Sequence, residues 1–323
     1  MKKILPFLLL ALAGCVETTA PSREITLSVP HQKQKWETPY GDGLALTSSH
    51  YRIFTTVTRP ELLNSLPGFM EAAYQNYLSL TGLPGNSSHA MPVYMLANRP
   101  QWAALTQRLV KENLNLYLSI ETGGYCYKGV CVFWDAGGIV TYAVASHEGM
   151  HQFLLSTVKD NLPMWVEEGL CTMAEGFNLQ RSSVGFTASR NPLRMDSLRG
   201  AIVQNRQIEL SRLLAMDAGD TVGGVTMDAA VEYYAQLWAL MQFVQSRPQY
   251  RAGLVKMMED AAAGRLQKKM NIDPDYYQQI LRYNGKEYNR VMSEPIFEKY
   301  ITQDQTTFQK DYIQYCHELT GLR

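Results

Sequence analysis

His147 and His151 stand four residues apart in "SHEGMHQFLLSTVKDNLPMWVEEGL", residues 146–170, with Glu148 between them. On a helix that spacing is about one turn, so both imidazoles share a face. Two imidazoles so placed can reach one metal ion, and zinc takes nitrogen ligands at about 2.0–2.1 Å. Glu148 is rotated about 100° from His147, too far round for a natural third ligand. It can instead reach a metal-bound water at the edge of the coordination sphere. Zinc lowers the pKa of its water towards ~7, and a nearby carboxylate can take the proton and later give it to a leaving amine. H-E-x-x-H therefore puts two ligands and a base on one turn of helix.

A catalytic zinc needs a third protein ligand. Asn161-Leu162-Pro163 breaks the first helix, and residues from Trp165 to about Glu175 read as a second. A helix–turn–helix of this length can fold back so that Glu167 or Glu168 faces the histidines. Only one should do so, because neighbouring helical residues point about 100° apart. The other is expected in solvent at the helix start, where negative charge suits the macrodipole.

"HEGMHQF" followed by "LPMWVEEGL" resembles the gluzincin clan of zinc metallopeptidases, above all its bacterial peptidase-MA-like branch, much of it uncharacterised. That branch carries H-E-x-x-H-Q and then L-P-x-W-[LV]-x-E-G-L-A. The resemblance implies one zinc ion held by His147, His151 and Glu168, with Glu148 as general base. An acidic residue often follows four positions after the third ligand and orients a histidine; here that position is Thr172, which can hydrogen-bond but adds no charge. Cys171 replaces the usual Ala, a change read as core packing. Gluzincins commonly stabilise the oxyanion with a Tyr or His from a later helix. Tyr234 in "EYYAQLW" is the candidate and Tyr233 the second. In a chain of 19 tyrosines a core role competes for both. The resemblance extends loosely over about residues 48–318.

The elements that must position these residues come in a simple order. "HYRIFTTV" (50–57) alternates like a strand, Pro60 opens an amphipathic helix, and "MPVYMLA" reads as another strand. Pro100 opens a second helix, Gly123–Trp134 supplies a hairpin or two short strands, and helical patterns dominate from Ile139. Strands first and helices second predict an α+β fold. The resemblance makes it zincin-like, with a small N-terminal mixed sheet and helices followed by a mainly helical lobe. The domain is expected over 48–323, with lobes over about 48–158 and 159–323. Gly123, Gly124 and Tyr125 are candidates for an edge strand that pairs with an extended peptide substrate, or else belong to a surface hairpin. Cys126 and Cys131 flank a turn and are expected to form a disulfide across it.

The N-terminus predicts the compartment. Lys2 and Lys3 precede an apolar stretch, Ile4 to Ala13, too short to span a bilayer. Leu12-Ala13-Gly14-Cys15 resembles the lipobox of bacterial lipoproteins, which implies a leader over 1–14 and lipidation of Cys15. Val16 resembles the next residue of lipoproteins sorted to the outer membrane, here facing the periplasm. Residues 15–47 are expected to be a polar tether. Without Lys2 and Lys3 the 30 basic and 30 acidic side chains become a balance of −2, which argues against a nucleic-acid surface.

These readings converge on a lipid-anchored metallopeptidase-like protein that hydrolyses peptide or protein substrates in the cell envelope, with zinc-bound water and a Glu base. The alternative is a zinc-binding envelope assembly lipoprotein without hydrolytic activity. A second rival is a helical lipoprotein in which the histidines are structural.

Overall fold

A computed structural model describes residues 24–86, 88–121, 123–217, 227–282 and 285–322. The alternation in "HYRIFTTV" becomes a strand whose Tyr51, Ile53 and Thr55 are buried and whose Arg52 is exposed. It is the fourth of β1 (Ile25–Thr26), β2 (Gln32–Thr38), β3 (Gly41–Thr47) and β4 (Tyr51–Thr55). With β5 (Met91–Leu96), β6 (Gly124–Tyr127) and β7 (Val130–Trp134) it builds a mixed six-stranded sheet in the order β2-β3-β4-β5-β7-β6. Neighbours β4, β5 and β7 run parallel, and the other pairs are antiparallel. Parallel neighbours need crossovers. These are α1 (Pro60–Thr81), then α2 (Arg99–Leu109) and α3 (Leu114–Leu118).

The expected tether is corrected by this sheet. From Glu24 onward the chain is part of the fold, because β2 and β3 pair over their full lengths and β3 pairs with β4. Strand β2, "QKQKWET", lacks an apolar face because it is the sheet's outer edge. Exposed Lys33 and Lys35 blunt that edge against further pairing. The leader and Cys15 lie outside the described residues.

The second half is helical: α4 (Gly138–Thr157), α5 (Met164–Ala174), then hairpin β8 (Phe177–Leu179) and β9 (Ser183–Phe186). There follow α6 (Pro192–Val203), α7 (Leu210–Ala215), α8 (Met227–Ser246), α9 (Pro248–Ala262), α10 (Leu266–Lys269), α11 (Pro274–Arg282), α12 (Gly285–Tyr300) and α13 (Gln305–Thr320). Strand β1 adds to the hairpin in a small antiparallel sheet, β1-β9-β8, which ties Ile25–Thr26 to the second half of the chain.

Strand β7 shows how the sheet is packed. Its side chains alternate between faces. Cys131 and Phe133 join a large apolar core that continues through Phe69 and Met70 of α1 to Trp238 and Met241 of α8. Val132 and Trp134 join a smaller core with Trp102 of α2 and Tyr125 of β6. The sheet is thus covered on both faces, with α4 against the β6–β7 end.

The predicted disulfide is also corrected. Cys126 and Cys131 are direct cross-strand partners in the β6–β7 hairpin, yet both are free thiols. Cys131 turns into the large core and donates its S–H to the carbonyl oxygen of Glu148 at 3.0 Å, so its sulfur is engaged with α4.

Candidate metal centre

Helices α4 and α5 carry the chemistry, and the turn between them fixes their relation. The backbone N–H groups of Lys159 and Asp160 donate to the carbonyl of Ala261, and the Asp160 carboxylate accepts from the N–H of Leu266. Asn289 of α12 does the rest. Its Oδ1 accepts from the N–H of Met164 at the start of α5, while its Nδ2 donates to the carbonyls of Leu214, Ala215 and Met216 at the end of α7. One buried amide therefore satisfies the free ends of two helices. At the other end, Ser146 Oγ of α4 donates to the carbonyl of Ala174.

Held this way, the two helices present three side chains to one point. Glu168 Oε2 lies 3.4 Å from His147 Nε2 and 3.6 Å from His151 Nε2. Glu168 is only 5 % exposed, and Oε2 is buried without a hydrogen-bond partner among the described residues. A buried carboxylate oxygen without a hydrogen-bond partner, facing two imidazole nitrogens, suits a cation between them. Of the two glutamates left open by the sequence, Glu168 faces the pair. His147, His151, Glu168 and Cys171 each place a possible ligand atom within 4.8 Å of the others.

The remaining imidazole nitrogens are anchored from behind. His147 Nδ1 is 2.8 Å from Glu175 Oε1, and His151 Nδ1 is 2.8 Å from Glu167 Oε1. This places the Nδ1 proton on each ring toward a carboxylate and leaves Nε2 for a metal. Glu175 is itself held by Arg194, through Nε at 2.9 Å and Nη2 at 2.7 Å, and by Asn191 Nδ2 at 2.8 Å.

Two expectations are corrected here. Thr172 does not support a histidine: its hydroxyl donates to the backbone carbonyls of Glu168 and Gly169, within its own helix. Glu167 is not a solvated helix-start charge but the partner of His151. The missed residue was Glu175. A seven-residue step is two helical turns, so it keeps the face of Glu168 as well as a four-residue step does. Arg194 of α6 and Asn191, which caps that helix, reach it from beyond the β8–β9 hairpin, and no spacing rule in the sequence signals them.

Glu148 projects towards the β6 end of the sheet. A Cβ on Gly124 would lie 3.1 Å from Glu148 Cγ, so strand and base pack in close contact. Strand β6 is the sheet's terminal strand, paired on one side with β7. The side chain of Tyr125 belongs to the smaller core and donates its hydroxyl to Thr106, so only its backbone lies at the edge. Gln152 ties α4 to the hairpin, its Nε2 donating to the carbonyls of Gly129 and Pro92. Gly149 is where α4 meets α1. A Cβ there would lie 2.5 Å from the Tyr77 hydroxyl, which donates to the carbonyl of Ser146.

The two tyrosine candidates separate. Tyr233 is fully buried in the core and donates to the carbonyl of Met216. Tyr234 faces the site: its ring centre is 6.3 Å from that of His147, and the Arg194 guanidinium lies 5.3 Å over its ring.

The charges respond to one another. Burial works against protonation of His147, but Glu168 and Glu175 outweigh it and raise its pKa to about 9. Burial would raise the pKa of Glu168, yet the two histidines hold it below the ordinary range. Burial likewise opposes ionisation of Glu175, which Arg194 and His147 hold down at about 2. Glu148 is raised by burial, as suits a proton acceptor that must work near neutrality. Tyr234 is also raised by burial and by Glu168, so its phenol stays a donor.

The family described as "Protein of unknown function (DUF1570)" matches residues 141–265, a span that contains His147, His151, Glu168, Glu175, Arg194 and Tyr234. No curated protein matches the chain. No solved structure matches it either.

Proposed function

We propose that this chain is a zinc-dependent metallopeptidase of gluzincin type. The observation that carries the proposal is the convergence of His147 Nε2, His151 Nε2 and the unpartnered Glu168 Oε2. Two nitrogens and a carboxylate are a catalytic zinc set, with a fourth position for water. When bound, the ion supplies Lewis acidity, which polarises a carbonyl and makes a water nucleophilic near neutral pH. Each of this chain's own residues then has one task. Glu148 takes the proton of the attacking water and returns it to the departing amine. Tyr234 donates its phenol hydrogen to the oxygen on which negative charge develops. The free edge of β6 pairs with the extended backbone of a peptide, and Gly124 keeps that strand close against Glu148. Glu167 and Glu175 hold the imidazoles in their tautomers.

The location follows the leader. We place the mature chain on a lipid at Cys15, in the outer membrane facing the periplasm. No described helix is long and apolar enough to cross a membrane. Loss of radiolabelled acyl chain on Cys15→Ser tests this placement.

The activity is tested by exposing the zinc-loaded protein to a peptide library and reading cleavage by mass spectrometry. Cleavage by the wild type, lost in zinc-loaded Glu148→Gln, is the expected result. No cleavage by a fully loaded wild type would contradict hydrolysis and favour an assembly role.

A further inference from the structure

Cys171 stands at the same centre. It is fully buried, and its thiol is within hydrogen-bonding reach of the His151 imidazole. Its sulfur belongs to the same group of mutually close ligand atoms as His147, His151 and Glu168. The geometry of the two helices explains why. His147 and His151 are four apart on α4, and Glu168 and Cys171 are three apart on α5, so each helix turns a pair of donors to the other. The unpartnered Glu168 Oε2 independently marks where a cation would sit. A thiolate is among the strongest zinc ligands, and four protein ligands close a zinc site whereas three leave it open.

We propose that Cys171 is a fourth protein ligand of the ion, its sulfur exchanging with water at the position that three ligands alone would leave open. This rests on the zinc reading above and adds a ligand to it. On coordination the sulfur–hydrogen bond is exchanged for a sulfur–metal bond, and the proton passes to buffer. The thiolate and the attacking water compete for one position. Packing alone would make Cys171 equivalent to Ala; ligation makes the two spectroscopically different.

The test replaces zinc with cobalt(II), added alone to the purified full chain, and reads the absorption spectrum. The wild type is expected to bind one cobalt with an intense near-ultraviolet thiolate-to-metal charge-transfer band. Cys171→Ala should still bind one cobalt but lose that band, while Cys126→Ser keeps it. One bound cobalt without the band in the wild type would overturn the thiolate ligand and leave the three-ligand site standing. Persistence of the band in Cys171→Ala would overturn it equally. No stoichiometric cobalt in the wild type would overturn both readings together. The wild-type spectrum decides even if a variant folds poorly.

Discussion

Glu175 Oε1 lies 2.8 Å from Nδ1 of His147, from a position 28 residues further along the chain. The same carboxylate accepts from both Arg194 and Asn191, so the imidazole is oriented by a charge that is itself immobilised. Such support behind a metal ligand is typically worth 10- to 100-fold in affinity. Glu175→Gln keeps the shape but removes the charge. It should weaken zinc binding by roughly that range, measured by competition with a chromophoric chelator. Unchanged affinity would show that His147 needs no anchor.

The metal-free protein should have a defined pH window of greatest support from this cluster. His147 is raised to about 9 in the fold, so its contribution is complete below its unfolded value and is lost as pH rises through about 9. Glu175 is lowered to about 2, so its contribution is present above its unfolded value and is lost as pH falls through about 2. Both are fully in place only between about pH 4.5 and 6.5. Denaturant midpoints of the metal-free chain should decline on either side of that window. Glu175→Gln should flatten the acid limb, and an unaltered acid limb would count against the assignment.

Gly149 is a case where a local rule is overridden. In an exposed helix Gly→Ala stabilises by about 1 kcal/mol. Here the added methyl meets the Tyr77 hydroxyl at 2.5 Å, in a buried contact between α4 and α1. We expect Gly149→Ala to destabilise by about 1–3 kcal/mol instead. The penalty should shrink in a Tyr77→Phe background, where the clashing oxygen is gone. An equal penalty in both backgrounds would move the cause elsewhere.

Asn289 gives a prediction remote from the site. Replacing it by Ala leaves the N–H of Met164 and the carbonyls of Leu214 and Ala215 without this buried partner. A loss of about 2–3 kcal/mol is expected from such unsatisfied groups. Urea unfolding measures it, and a loss below about 0.5 kcal/mol, the size of an ordinary surface change, would contradict the role given to this amide.

The sequence made the local features legible and left the distant ones hidden. His147 and His151 share a face by helix geometry alone, and the order of strands and helices follows from their periodicities. The choice of Glu168 over Glu167 came from the resemblance, since helix geometry only says that one of them turns inward. Glu167 was misplaced because a helix-start carboxylate usually faces water, whereas here His151 reaches it. Arg194 and Asn191 were invisible because a hairpin separates them from Glu175. Strand β2 is hidden for another reason: an edge strand needs no apolar face, so its letters read as linker. The Cys126–Cys131 pair is opposed across the hairpin as expected, but Cys131 spends its thiol on Glu148.

Everything proposed for this chain depends on one metal ion bound between α4 and α5. Metal content of the purified protein by mass spectrometry, beside His151→Ala and Glu168→Ala, tests it most directly. One zinc per chain is expected in the wild type, lost in both variants. Full zinc retained by Glu168→Ala would contradict the ligand set, and no zinc in the wild type after reconstitution would contradict the metal centre itself.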